Sequence, residues 1–163
     1  RSDVIGAWDG QGIAGDRTYA PPELLYGEFQ VDDRVRRLAC DCFHLGSLAV
    51  FMYLGAGLTS LLEADLGPAF HWRVWPRDYR NVLPFVRGAF DRVLTDLEST
   101  VSNNLRADIV MIVRELADPD PLLRGNARAG NGYARYSLER YVSILDRVAR
   151  RAEVALRSGS RRD

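Results

Sequence analysis

At 163 residues, 47% hydrophobic and 27% charged, the chain has the size and make-up of one ordinary globular domain that can bury a core. Its 22 basic and 22 acidic residues balance, which argues against nucleic acid or anionic lipid held by bulk charge. Every basic residue is an arginine, and the sequence holds no lysine.

Residues 1 to 37 carry turn formers and charges, including "WDGQGIAGDR" and "QVDDRVRR", and show no sustained helical or strand period, which predicts one long loop closing on a short helix near Leu24. The Gly-rich "DGQG" has no helix after it and is a weak phosphate loop. Cys40 and Cys42 lie two apart in an apolar run with no secretory signal ahead of them. They read as thiols rather than a disulfide framework, and point to a reducing, cytoplasmic setting.

From Ala39 to Leu54 the sequence is apolar almost all the way round, broken at Asp41, His44, Gly46 and Ser47, which predicts a helix buried on every side and the most buried element of the fold. Cys42 to Leu62 holds no Asp, Glu or Arg, over a length that could cross a bilayer of about 30 Å, and Arg34, Arg36 and Arg37 supply a basic flank. Against a membrane span, Gly55 and Gly57 break the run, "LTSLLEADL" resumes as a separate amphipathic piece, and His44 and Ser47 would face lipid. The sequence favours a core helix.

Further on, Val82, Phe85, Val86, Ala89, Phe90, Val93, Leu94 and Leu97 recur at helical steps, with Asn81 as the expected N-cap and Pro84 in the first turn. Leu105, Ile109, Ile112, Val113 and Leu116 predict another helix, stopped by "DPDP". Leu138, Tyr141, Leu145, Val148 and Ala152 predict a last one, capped by Ser137. No alternating strand pattern of useful length appears, so the fold class is mainly α. His44 reads as a packing histidine, while His71 has no Cys or carboxylate at ligand spacing and "CDC" no second pair, which argues against a structural metal.

Three landmarks, taken together, resemble the C-lobe portion of a protein kinase domain of the bacterial serine/threonine type, from the activation segment onward. The activation segment of that family ends in "G-T-x-x-Y-x-A-P-E", and in "GDRTYAPPELLYG" Gly15, Tyr19, Pro22 and Glu23 fall in its register, with Pro21 in place of the alanine. The family's "D-x-[WY]-S-L-G" is followed by "CDCFHLGSLAVFMYLG" through Asp41, Phe43, Leu45 and Gly46. Its "L-x-x-D-P-x-x-R" is followed by "LADPDPLLRGN" through Leu116, Asp118 or Asp120, and Arg124.

The resemblance implies a helical C-lobe over residues 1–157, without the β-rich nucleotide lobe, followed by a disordered tail over 158–163. It implies an activation segment over 3–23 and a central helix over about 39–54. Glu23 and Arg124 would form a largely buried ion pair, with the prolines holding the loop end rigid. Asp41 would reach back to backbone N–H groups of the catalytic loop, unless it is simply the N-cap of its helix. Asp3 would stand at the magnesium position, with Val4 for the usual phenylalanine and Gly6 displaced by one residue. Gly15, Asp16, Thr18 and Tyr19 would lie on the substrate side; Asp16 stands where a threonine is usual, and Thr18 is a candidate phosphorylation position.

The Gly-rich loop, the lysine and the catalytic-loop Asp with its Asn are not found in the sequence. "RDYRN" at 77–81 follows the activation segment and reads as a helix start. No catalytic residue is therefore assigned, and the chain alone is expected to be inactive. ATP and Mg²⁺ would belong to a complete kinase, and the partners would be a protein substrate or the missing N-lobe. A pseudokinase-like interaction module is the alternative, favoured by Val4 and Asp16.

Overall fold

The computed structural model describes residues 16–28, 32–76, 78–130 and 132–159. Six α-helices carry them: α1 (Pro22–Leu25), α2 (Asp33–Leu54), α3 (Leu58–Asp65), α4 (Tyr79–Thr100), α5 (Asn103–Leu116) and α6 (Glu139–Gly159), with short 3₁₀ turns between. Among the described residues there is no strand, as the absence of alternation predicts.

α2 starts six residues before the apolar run. Asp32 caps it, its carboxylate accepting from the Arg34 and Val35 backbone N–H groups at 2.8 and 3.1 Å, so residues 33 to 38 are helix and not part of a long N-terminal loop. This cap leaves Asp41 in the helix interior, which corrects its reading as an N-cap. The helix ends at Gly55, whose φ of 74° is the left-handed conformation that glycine adopts without strain. Ser47 then holds the next helix: its hydroxyl accepts from the Leu58 N–H at 2.9 Å, a buried bond at the first turn of α3.

α4 is capped by Asp78 rather than Asn81, the Asp78 carboxylate accepting from the Asn81 N–H at 3.3 Å. Pro84 consequently sits inside the helix, beyond its first turn. The "RDYRN" stretch does contain a helix start. Val82, Val86, Ala89, Phe90, Val93, Leu94 and Leu97 are buried as their spacing predicts, whereas Phe85 is half exposed and stacks on Phe70 with ring centroids 3.8 Å apart. α5 buries all five of its predicted core positions. Before α6, Ser137 accepts from the Glu139 N–H at 3.5 Å, a long contact for a cap.

The core lies where α2, α4 and α5 meet, with α3 against α2 and α4 and α6 against α5. α4, with nine buried residues, is more deeply enclosed than α2, with six. The α2 residues that face inward are Ala39, Cys42, Phe43, Gly46, Ser47 and Val50, at three- and four-residue steps. Asp41, His44, Leu48, Phe51 and Met52 face out. The expectation of a helix buried on every side, and of a packed His44, is thus corrected. Both faces of α2 are apolar, so composition could not reveal which one the fold covers. By length and hydropathy α2 could cross a membrane, although its inner face is part of the core.

Candidate functional site

Glu23 owes its position to the Pro-Pro pair. Pro21 is extended (φ −58°, ψ 147°) just ahead of α1, and Pro22 is its first residue, where the missing N–H has no partner to lose. Ala20 to Leu25 are all buried, and the Thr59 hydroxyl donates to the Ala20 carbonyl at 2.9 Å. Gly27, at φ 78°, turns the chain back so that the Glu28 N–H reaches the Glu23 carbonyl at 2.8 Å. The carboxylate is held on a short, stiff support.

Arg124 is placed by the turn that the double aspartate-proline builds. The Asp118 and Asp120 carboxylates accept from the Asp120 and Leu122 backbone N–H groups at 2.8 and 3.1 Å, the local bonding that makes aspartate a turn former. Gly125 follows at φ 86°, its N–H on the Glu115 carbonyl at 2.7 Å, and a Cβ there would lie 2.4 Å from the Arg135 carbonyl oxygen. Only glycine fits that position. The Arg135 guanidinium closes the turn on the Arg124 and Leu123 carbonyls at 2.6 and 2.7 Å.

The two side chains meet in a bidentate pair across 101 residues of sequence, with Arg124 Nη1 to Glu23 Oε1 and Nη2 to Oε2 both at 2.6 Å. Their side chains are 0% and 3% exposed. The other N–H groups of the guanidinium point to the Asp118 carbonyl at 2.7 Å and, at 3.4 Å each, to those of Ala39 and Pro119, so all five donors have an acceptor. The Phe43 ring lies under the guanidinium at 4.9 Å. Burial pulls the Arg124 pKa down, but the charge and hydrogen bonds of Glu23 outweigh it and the net shift is upward. A pair this enclosed is tolerable because its geometry and remaining bonds are satisfied; removing one partner costs about 3–5 kcal/mol.

Gly46 is fixed by packing. A Cβ on it would stand 2.7 Å from the Ala117 Cβ and 3.2 Å from the Ala117 nitrogen, so α2 and the end of α5 approach too closely for any side chain. Asp41, five residues earlier, is exposed on the outer stripe of α2. Asp120 is buried between Arg80 and Arg87, at 3.3 and 3.4 Å, and burial raises the pKa of its neighbour Asp118. The two aspartates left open by the sequence divide the work: Asp118 gives its backbone carbonyl to Arg124, and Asp120 gives its carboxylate to α4.

Asp3 and Gly15, together with Val4 and Gly6, lie outside the described residues. Asp16 accepts from the Thr18 N–H at 2.9 Å and from the Thr18 hydroxyl at 2.8 Å, bonds that hold its carboxyl below the usual range. Thr18 and Tyr19, adjacent in sequence, border different depressions: Thr18 one of about 370 Å³ with Arg17, Glu63, Trp72 and Arg73, Tyr19 one of about 420 Å³ with His44, Leu48 and Phe51 of α2. His71 does have a carboxylate partner, Glu63 at 2.9 Å, which spacing alone did not signal. Among the described residues no group of three or more His, Cys, Asp or Glu could hold a metal. Cys40 and Cys42 are free thiols, and burial pushes both up to about 11.

Comparison of the chain with protein-family models, with curated proteins and with solved structures found no match.

Proposed function

We propose that this chain is the helical, substrate-side portion of a serine/threonine protein kinase-like fold, whose complete form transfers the γ-phosphoryl group of ATP to a protein hydroxyl. One observation carries the proposal: a bidentate, solvent-excluded ion pair joins Glu23 of the first landmark to Arg124 of the third. A turn glutamate and an arginine 101 residues apart have no general reason to meet inside a core, where desolvation opposes them. The close approach at Gly46, in the second landmark, adds to it. So does the outward stripe of α2, where Leu48 and Phe51 are each 54% exposed and Met52 74%; an apolar surface of this kind is suited to packing against a further part of a larger fold.

In such a protein the chain would contribute a platform rather than the chemistry. With no lysine and no catalytic-loop Asp and Asn in the sequence, it has no means of clamping nucleotide phosphates or of orienting the attacking hydroxyl. ATP and Mg²⁺ would be held mainly by the nucleotide lobe, and the partners would be that lobe and a protein substrate. The pseudokinase-like alternative draws on a specific feature: the residue at the usual threonine position is Asp16, and it ties up the Thr18 hydroxyl.

Calorimetric titration of the purified chain with MgATP is expected to give no saturable binding at micromolar concentration, and the protein extended upstream in the same reading frame is expected to bind it and to phosphorylate serine or threonine. Tight ATP binding or phosphoryl transfer by the chain alone overturns the proposal. An extended protein that folds without transferring phosphate assigns the chain to the interaction-module alternative.

A further inference from the structure

The depression of about 370 Å³ beside Thr18 has two arginines on its lining, Arg17 and Arg73, with Trp72 and Glu63. Several described arginines pair with a carboxylate nearby: Arg36 with Asp33, Arg92 with Asp65, Arg150 with Asp146. Arg17 and Arg73 are exposed and, among the described residues, neither side chain has a hydrogen bond or an ion pair. Two guanidinium groups repel one another across a shared cleft, and the one carboxylate on its lining, Glu63, is bonded to His71.

The frame around them is built. The Arg73 backbone N–H donates to His71 Nδ1 at 3.1 Å, which leaves the ring proton on Nε2, aimed at Glu63 Oε1 at 2.9 Å. One carboxylate of the cleft is thereby occupied, and the His71 ring lies 4.3 Å from Trp72, itself edge-on to Tyr26 at 6.2 Å. On the other wall, Arg17 sits in a 3₁₀ turn capped by Asp16 and tied to α3 through the Thr59 bond to Ala20. Both walls are thereby anchored on α3, one through Glu63 and the other through Thr59, while Arg17 and Arg73 are exposed.

We propose that this cleft binds an oxyanion, a phosphate monoester or a carboxylate on an organic carrier, held between the Arg17 and Arg73 guanidinium groups against the Trp72 ring. Guanidinium groups present paired N–H donors that match the oxygens of such anions. The net charge of the lining is one positive, from two arginines against Glu63, which suits a singly or doubly charged anion. The volume exceeds that of a bare phosphate, and the indole supplies an apolar wall for the group that carries it. The proposal goes beyond the kinase-like reading and does not depend on it, although Thr18, on the substrate side in that reading, borders the same cleft.

The test is titration of the purified chain, followed by calorimetry and by tryptophan fluorescence, with inorganic phosphate and with N-acetyl-O-phosphoserine amide as separate probes. Saturable binding of the phosphoserine probe is expected, weakened about tenfold by Arg17→Gln or Arg73→Gln and lost in the double variant, the loss of a charge-assisted bond corresponding to about one decade each. Trp72→Phe removes the fluorescence response. Arg128→Gln, an exposed arginine outside the cleft, leaves binding unchanged, and circular dichroism confirms that the variants fold. Weaker binding of inorganic phosphate supports a carried anion; equal binding supports a free-phosphate source at the same site. Non-saturable binding, or binding that survives the double variant or falls equally in Arg128→Gln, overturns the proposal.

Discussion

Arg124 and the Arg17–Arg73 cleft put the same side chain in opposite situations. Arg124 is removed from water entirely, with an acceptor for each of its five donors and a carboxylate bound at both ends of the fork. Arg17 and Arg73 are exposed, and among the described residues their side chains have no hydrogen bond or ion pair. An arginine's contribution here depends on the support around it. Two prolines, a left-handed glycine and three backbone carbonyls turn one guanidinium into a structural tie, and without such acceptors another remains available to a ligand.

The comparison breaks most sharply at the buried pair. Arg124→Ala is expected to destabilise the fold by about 3–5 kcal/mol, since Glu23 would be left charged and unpaired in the core, and chemical denaturation measures it. A double variant, Glu23→Leu with Arg124→Met, is expected to recover much of that loss; a double variant as unstable as the single one would show that the carbonyl bonds of Arg124, not the ion pair, hold the turn. Gly46→Ala comes next at about 1–3 kcal/mol, because the new methyl group must displace Ala117 or separate α2 from α5. A melting temperature equal to that of the parent would mean that the helices can part without cost.

An effect that appears only at high pH tests the Phe43 side of the same region, where Cys40 and Cys42 lie. Their folded pKa of about 11 stands above the usual thiol value of 9.0 because burial disfavours the thiolate. Between these values the unfolded chain releases protons that the folded chain retains, so stability is full below about pH 9 and declines as pH rises towards 11. Denaturation midpoints measured from pH 8 to 11 should fall, and fall less in Cys42→Ala. Smallest of all, Arg150→Ala breaks only an exposed pair with Asp146 at 2.7 Å and should change stability by no more than about 0.5 kcal/mol. An effect as large as that of Arg124→Ala would erase the distinction between the two environments.

Sequence alone determined the helical class and, Phe85 apart, the inward faces of α4 and α5, because their apolar spacing repeats against a polar background. It determined the stiffness of "PPELL" and the breaks at Gly55 and "DPDP", since proline and glycine act locally. Glu23 and Arg124 were put forward as partners only by the resemblance of three landmarks to the kinase C-lobe. Tertiary structure alone decided which face of α2 is covered, because apolar residues surround that helix and no period distinguishes inside from outside. It moved two N-caps, to Asp32 and Asp78, where several aspartates and asparagines within a few residues compete for the same backbone N–H groups. It also brought His71 to Glu63, and Arg17 and Arg73 to the lining of one cleft. These placements depend on how α3 lies against the first turns, and that is settled by packing the whole core rather than by any local pattern.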